Sequence, residues 1–349
     1  MIVESMLPLD DWKGAAPAAE AAEEAGFDAV MTAEISHDPF TPLAFAALAT
    51  ERIQLGTGIV VAFPRSPMVT AGISWDLQAQ SGGRFVLGLG SQVKGHIRRR
   101  FSTEWTNPVS RMREYIQSLR AIWKTWETGE KLDFEGEHYR FSLMTPEFSP
   151  RPIGLPPVPV TIAAVGPDMI KLAGRICDGV ILHGFCTRRY LEEVALPRLD
   201  EGLALSSRKR SQFLVRGGGF IATGPDEEAV AKALEEVRYR VAFYGSTRTY
   251  SGVLALHGYE EVGAQLHRLS VTGKWREMAK AVPDDLLHLF AAVATYENLP
   301  AAIEKQFGGL TDGTGFGFAG GAPAGLAREL IQDLKRIPCP FEGFSTSWD

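Results

Sequence analysis

The chain has 349 residues, which is enough for one large domain or two domains of ordinary size. Its 36 Lys and Arg against 42 Asp and Glu give a net charge of −6, so it lacks the basic excess that general nucleic-acid binding requires. The three cysteines show no metal-ligand spacing, and no apolar run reaches the roughly 20 residues that span a bilayer. We therefore expect a reduced, cytoplasmic protein that acts on a small-molecule substrate and has no membrane or nucleic-acid partner.

Apolar runs of strand length alternate with helical patterns over the first 90 residues. Glycines follow the first and third helical patterns, as expected at helix ends. The apolar runs are continuous rather than alternating, which is typical of parallel strands covered on both faces. The predicted strands are 2–7, 27–34, 53–63 and 84–90, and the predicted helices are 15–26, 41–51 and 66–83.

The same alternation resumes later in the chain. Four further strands are predicted at 158–166, 177–184, 213–223 and 314–318, and each is followed by a helical pattern, the last at 323–336. Eight strands and eight helices are the count of a (β/α)₈ TIM barrel of the α/β class. We predict a single domain over 1–349.

Two long segments exceed the strand–helix repeat and account for the surplus over the ~250 residues of a typical barrel. The first, about 91–157 after strand 4, contains a long helix near 107–128 and a hairpin-like stretch at 133–141. The second, about 244–312 between helix 7 and strand 8, is predicted to be mainly helical.

The fourth strand runs into glycines that suggest a nucleotide-binding turn. A dinucleotide fingerprint requires a third glycine where Val93 stands, and a helix directly after it. The sequence therefore disfavours a Rossmann site. In a barrel, Gly88 and Gly90 would instead lie near the carboxyl end of strand 4, where barrel active sites are built and where small residues let a planar ligand approach the backbone.

Four stretches of the chain resemble the luciferase-like flavin and deazaflavin oxidoreductases. They are ERIQLGTGIVVAFPRSPMVTA, DLQAQSGGRFVLGLGSQ, DFEGEHYRF and IAAVGPDMIKLAGRICDGVIL. The resemblance covers nearly the whole chain and is interrupted mainly at 244–312. It implies a TIM barrel that binds FMN or the deazaflavin coenzyme F420, and it implies a homodimer, since relatives commonly dimerise. The first insertion and the stretches AAVGP and GRICDGV favour F420, because they match deazaflavin-dependent sugar-phosphate dehydrogenase-like members.

The resemblance also assigns positions around the cofactor. The deazaflavin branch carries a non-prolyl cis peptide at the end of strand 3, which falls here at Gly58-Ile59 and would support the ring. The position of Ser91 and Gln92 would meet the cofactor after strand 4. The coenzyme phosphate would lie near the end of strand 5 and the start of the next helix, with a further contact after strand 6. These phosphate-side positions are Ala163, Ala164, Val165, Gly166, His183 and Gly184.

Each assigned position also has a purely structural interpretation. Gly58 could be an ordinary strand glycine, and the residues ending at Gly166 could form a tight turn that needs small side chains. Ser91 and Gln92 could serve as capping residues, and His183 could be a core histidine. Backbone N–H groups at a helix start favour an anion, which supports the phosphate interpretation at Gly166.

The chain departs from its sugar-phosphate relatives at both acid–base positions. Those relatives carry Asp-His at the end of strand 2, where this chain has Glu34 and Ile35, with His37 two positions further. Their glutamate after strand 4 corresponds to Val93. Glu34 and His37 are therefore the candidate catalytic residues, and the sugar-phosphate substrate is not carried over.

The sequence thus predicts an F420-dependent oxidoreductase that transfers a hydride between C5 of the deazaflavin and an unidentified organic substrate. One alternative is an FMN-dependent monooxygenase supplied by a separate flavin reductase and O₂. A second alternative is a non-catalytic barrel that binds a cofactor or another ligand. No metal site is predicted.

Overall fold

Eight parallel strands close into a barrel in the computed structural model, which describes residues 1–206, 208–315 and 326–348. Each strand pairs with the next in the chain, and the eighth pairs with the first, so the TIM-barrel prediction is confirmed. The barrel strands are β1 (Ile2–Met6), β2 (Ala29–Thr32), β3 (Gln54–Thr57), β4 (Phe85–Gly90), β5 (Val160–Ala164), β6 (Gly179–Leu182), β7 (Leu214–Gly217) and β8 (Gly313–Thr314).

Helices surround the barrel and fill the two insertions. A π-helical stretch, Leu191–Ala195, joins the helical residues Arg188–Tyr190 to the helix Leu196–Ala204. The helices are α1 (Trp12–Ala25), α2 (Thr41–Ala49), α3 (Pro67–Gln80), α4 (Lys94–Arg99), α5 (Pro108–Thr128), α6 (Pro167–Ile176), α7 (Arg188–Tyr190), α8 (Leu196–Ala204), α9 (Glu227–Gly245), α10 (Ser251–Ala255), α11 (Glu260–Val271), α12 (Trp275–Met278), α13 (Asp284–Phe290), α14 (Leu299–Phe307) and α15 (Arg328–Lys335).

Local chemistry sets where the first helices begin and end. The Asp11 side chain accepts a hydrogen bond from the Lys13 N–H at the start of α1, and Ser66 does the same for Met68 at the start of α3. Helix α1 ends at Gly26, whose φ of 95° is left-handed and suits glycine. The two N-caps end the connections that follow β1 and β3, and Gly26 ends α1 before the chain enters β2.

The first insertion packs against the outside of the barrel. In α5, the buried Trp123 donates from Nε1 to the Ala71 carbonyl of α3 at 3.1 Å. The predicted hairpin is present as an antiparallel pair, Phe134–Glu135 with Arg140–Phe141. A continuous apolar core joins α5 to the barrel strands, so this insertion is part of the same packed body.

The prediction of one strand over 213–223 is wrong. The chain turns at Gly217 (φ 77°) and Gly218 (φ 106°). The turn requires glycine, because a Cβ on Gly217 would lie 2.4 Å from the Leu182 carbonyl oxygen and its φ is left-handed. Beyond the turn, Phe220–Gly224 leaves the barrel and pairs in parallel with Ala291–Thr295 in a separate two-stranded sheet. The second insertion therefore contributes a strand as well as helices.

The last strand–helix unit is partly confirmed. Strand β8 and helix α15 stand where the sequence predicts them, while residues 316–318 of the predicted strand and 323–325 of the predicted helix lie outside the described residues. Met1 and Val3 pack with α14 and α15 in a second apolar cluster. Among the described residues, no helix combines the length and apolarity needed to cross a membrane.

Candidate functional site

Small residues surround the carboxyl end of the barrel interior. Glu4 and Met31 each contact Arg216 inside the barrel, so every second residue along β1 and β2 from these two also faces inward. The same alternation on the first six strands gives the next inward positions toward the carboxyl end, and four of these six are glycine or alanine. These positions are Met6, Ala33, Gly58, Gly90, Ala163 and His183. Small side chains at these positions would let a flat ligand approach the backbone above the Arg216 layer.

The chain bulges at the end of β3, where the peptide bond between Gly58 and Ile59 is cis, as the family resemblance implies. The Gly58 N–H donates to the Thr32 carbonyl at 2.6 Å. The Ile59 side chain lies over Gly90, where an added Cβ would be 2.6 Å from Ile59 Cδ1. After the bulge, Val60–Val61 resumes pairing with β4. The bulge therefore forms a fixed edge of the mouth between β2 and β4.

Glu34 and Arg65 hold this bulge from the side. The Glu34 N–H donates to the Ile59 carbonyl at 2.9 Å, and its Oε2 accepts from the Val61 N–H at 2.8 Å. The same oxygen is 2.7 Å from Arg65 Nη1, which also donates to the Val61 carbonyl. The Glu34 side chain is 9% exposed. Glu34 therefore lies at the predicted rim position, with contacts that fix the backbone after β3.

His37, the other candidate catalytic residue, forms no hydrogen bond with Glu34. It lies on the exposed loop after β2 and forms no hydrogen bond or ion pair with any other described residue. Ile35, which stands where relatives have histidine, is 69% exposed. The assignment of His37 to proton transfer stays a prediction.

Ser91 and Gln92 lie half-buried at the exit of β4. The Ser91 hydroxyl donates to the Gln92 carbonyl at 3.2 Å, and Gln92 Oε1 accepts from the Val93 N–H at 3.0 Å. Gln92 has a left-handed φ of 56°, which is uncommon for a residue with a side chain. Both side chains therefore help to shape a tight turn directly at the mouth.

The exit of β5 leads into a helix start that no side chain caps. Gly166 is the N-cap of α6, is exposed, and offers no side-chain hydrogen bond to the first turn. An added Cβ on Gly166 would meet nothing within 4 Å. By contrast, Thr187 caps α7 by accepting from the Tyr190 N–H. Pro167 has no N–H, so the N–H groups of Asp168 and Met169 are the ones at the start of α6 that can bind an anion, next to the Asp168 carboxylate.

The three residues before Gly166 give the β5 exit its shape. Ala163 and Val165 are half-buried, and Ala164 is buried. The Tyr190 hydroxyl donates to the Val165 carbonyl at 2.9 Å, which ties this exit to α7. The predicted phosphate-side residues of β5 are therefore brought together as one turn beside the mouth.

His183 follows β6 and is a neutral hydrogen-bond donor. Its Nδ1 accepts from the Phe185 N–H at 2.9 Å, so the proton of the neutral ring is on Nε2. Burial, and to a lesser extent the nearby Arg240 guanidinium, lower the pKa of His183 to about 4. The ring stands edge-on to Tyr244 at a centroid distance of 4.1 Å. The imidazole therefore stays uncharged at neutral pH.

Gly184 has a packing role next to His183. A Cβ at this position would lie 2.5 Å from the ring of Phe220. The glycine therefore lets the β6 exit approach the strand that leaves the barrel after β7.

An ion pair lies inside the barrel, beneath the small residues of the mouth. Glu4 Oε1 is 2.7 Å from Arg216 Nε, and both side chains are almost completely buried. Burial raises the pKa of the Glu4 carboxyl, and the charge of Arg216 opposes this. Glu4 Oε2 and Arg216 Nη2 have no hydrogen-bond partner among the described residues. This pair places charge at the floor of the mouth.

Several site residues escaped the sequence analysis. Arg65 lies in the PRSP stretch that carried the resemblance, but nothing in its spacing pointed to Glu34. Glu4 and Arg216 did leave a signal, since each is a single charge of opposite sign in an otherwise apolar strand. Tyr190 and Tyr244 left no signal, because tertiary packing alone brings them to the mouth.

A separate group of possible metal ligands lies in the first insertion. It comprises Glu114, Glu137 and His138, whose ligand atoms lie within 4.8 Å of one another. Glu114 Oε2 already accepts from the His138 N–H at 2.7 Å, and His138 Nε2 is 3.0 Å from the Ser110 hydroxyl. These hydrogen bonds join α5 to the hairpin, which gives the cluster a structural role.

The closed barrel, with its cis-peptide bulge and the small residues at its mouth, defines a TIM barrel of the α/β class. The chain belongs to the luciferase-like monooxygenase family, whose model matches residues 3–310. It is 47% identical over 298 residues to an uncharacterized protein of Mycobacterium tuberculosis, covering 85% of this chain and 88% of that protein. It is 30% identical over 285 residues to a putative coenzyme F420-dependent oxidoreductase of the same organism, covering 76% and 80% of the two chains.

Solved structures show the same fold. The coenzyme F420-dependent tetrahydromethanopterin reductase of Methanopyrus kandleri superimposes with a TM-score of 0.75 at 23% identity, covering 96% of each chain. The oxygenating constituent of 3,6-diketocamphane monooxygenase from Pseudomonas putida, in complex with FMN, gives 0.65 at 14% identity, covering 97% of each chain. The luciferase-like fold thus includes both F420-dependent and FMN-containing members.

Proposed function

We propose that this protein is a coenzyme F420-dependent oxidoreductase that exchanges a hydride with an organic substrate at the carboxyl end of the barrel. The uncapped, glycine-led start of α6 beside a mouth of small residues is the observation that supports this most directly. It suits a ligand that has both a flat ring and a phosphate. The F420-dependent relative at 30% identity supports the same cofactor.

The residues of the chain fit the cofactor in three places. The Glu34–Arg65 pair would keep the β3 bulge fixed against one face of the ring. The first N–H groups of α6 would bind the phosphate, and the Nε2 proton of His183 would donate to the same end of the cofactor. Ser91 and Gln92 would border the ring at the β4 exit.

The deazaflavin ring, when bound, supplies a hydride acceptor and donor at C5. The protein then has to hold a substrate carbon at ~3–3.5 Å and to move one proton. His183, which is uncharged at neutral pH, would donate from Nε2 on the phosphate side, and the buried Glu4–Arg216 pair would lie below the ring. We propose Glu34 and His37 as the groups to test for proton transfer, with Glu34 also in a positioning role.

Titration of the purified protein with each cofactor tests this proposal. We expect saturable quenching of F420 fluorescence and no displacement of F420 by excess FMN. Tight FMN binding without F420 binding would reject the proposal in favour of an FMN-dependent monooxygenase. Failure to bind either cofactor would reject both.

A further inference from the structure

Basic side chains form one side of the barrel mouth. Residues 94–100, KGHIRRR, follow the exit of β4 and include Lys94, His96 and three consecutive arginines; we call this the basic segment. No Asp or Glu occurs between Leu77 and Thr103. The chain as a whole is acidic, with a net charge of −6. The positive charge at this position is therefore a local feature.

The basic segment is held at the rim. Only three residues separate it from the last residue of β4. Ile97 is completely buried and anchors α4, and Arg100 Nη2 donates to the Ile35 carbonyl after β2 at 2.5 Å. The segment therefore runs from the β4 exit to the β2 exit, past the β3 bulge.

The cations of this segment have no carboxylate partner. Lys94, Arg98, Arg99 and Arg100 are all exposed, and none forms an ion pair within the part of the chain that the structure describes. Other exposed arginines, such as those of α7, do pair; Arg188 lies 2.9 Å from Glu192. Uncompensated like charges repel one another, and their potential attracts anions. Guanidinium groups bind carboxylate and phosphate with paired hydrogen bonds.

We propose that the basic segment binds the carboxylate or phosphate groups of the substrate, so that this enzyme acts on an organic anion. This proposal rests on the proposed function, because the cofactor phosphate is there assigned to α6, at the β5 exit. The anion bound by the basic segment is then a second one, at the β2 to β4 exits. It would orient the substrate from the rim while its reacting carbon meets the ring.

The test compares two variants that each lose two exposed, unpaired positive charges. R98Q/R99Q changes the basic segment, and R175Q/K232Q changes α6 and α9 as a control. Pyrophosphate and triglutamate serve as probes in calorimetric titrations at low salt, and F420 affinity is measured in parallel by fluorescence. The altered side chains are exposed, so both variants should keep the wild-type unfolding midpoint.

We expect R98Q/R99Q to bind the probes at least about tenfold more weakly, while the control and the F420 affinity stay at wild-type values. Equal loss in both variants, or no probe binding by the wild type, would overturn the proposal. Loss of F420 affinity in R98Q/R99Q would also overturn it, and would assign the segment to the cofactor's anionic tail. Probe binding without any F420 binding would contradict the proposed function and leave the anion site standing.

Discussion

Glu34 Oε2 and Arg65 Nη1 lie 2.7 Å apart and join the exit of β2 to the segment that follows β3. The same carboxylate oxygen accepts from the Val61 N–H, so one side chain fixes two backbone segments at the mouth. When two residues belong to one hydrogen-bond network, the free-energy effects of substituting them are not additive. The pair therefore offers a way to separate a positioning role from a catalytic one.

We predict that E34Q and R65Q each raise the Kd for F420 by about tenfold, and that the double variant is no worse than either single variant. The reason is that each substitution removes the charge of the same hydrogen-bonded pair beside the bulge. Fluorescence titration measures the effect, and E20Q on the exposed face of α1 is the matched control. If R65Q had no effect while E34Q abolished turnover at unchanged Kd, Glu34 would be a proton-transfer group instead.

We predict that R216M destabilises the fold by about 3–5 kcal/mol, because it leaves the Glu4 carboxylate buried without its partner. E4L/R216M removes both charges and should recover most of that loss. Urea unfolding at pH 7 measures these differences. D333N, which breaks the exposed pair with Arg336, should change stability by about 1 kcal/mol or less. A mild effect of R216M, equal to that of D333N, would show that the buried pair has little role in stability.

We predict that protonation of His183 costs stability in acid. Its folded-state pKa of about 4 lies below the unfolded value near 6.5. The unfolded chain therefore binds more protons between these values, so this contribution is fully present above pH 6.5 and is lost as the pH falls toward 4. The loss amounts to about 3 kcal/mol. Unfolding measured from pH 7.5 to pH 4.5 should be less pH-dependent in H183Q than in the wild type, and equal dependence would contradict this account.

We predict that G166A lowers F420 affinity without unfolding the protein. The added methyl group meets nothing within 4 Å and the φ of −78° accepts alanine, so stability should fall by about 1 kcal/mol or less. A phosphate approaching the first N–H groups of α6 would meet that methyl group, and the Kd should rise about tenfold. G72A, also in open space, is the control. Unchanged F420 affinity in G166A would place the phosphate elsewhere.

The strand–helix alternation predicted the barrel, because parallel strands covered on both faces are apolar throughout. It failed at 213–223, where the apolar character continues through Gly217 and Gly218 although the backbone turns between two sheets. Periodicity cannot report such a turn, since both halves of the run are buried.

The sequence predicted which residues lie at the strand exits, but it did not predict which side chains from different strands contact one another. The position of Gly166 and the cis peptide after Gly58 followed from the resemblance to a family. The pairing of Glu34 with Arg65, and of Glu4 with Arg216, depends on which strands become neighbours and on side-chain direction. The separation of two residues along the chain does not indicate whether their side chains will pair.

A crystal structure of the protein with bound F420 tests the central claim most directly. The measured quantity is the position of the ring and phosphate relative to the strand exits. We predict the ring against the β3 bulge at Gly58, with the phosphate within hydrogen-bond distance of the first N–H groups of α6. A ring bound outside the mouth, or a mouth closed by side chains in crystals that hold F420 elsewhere, would contradict the account.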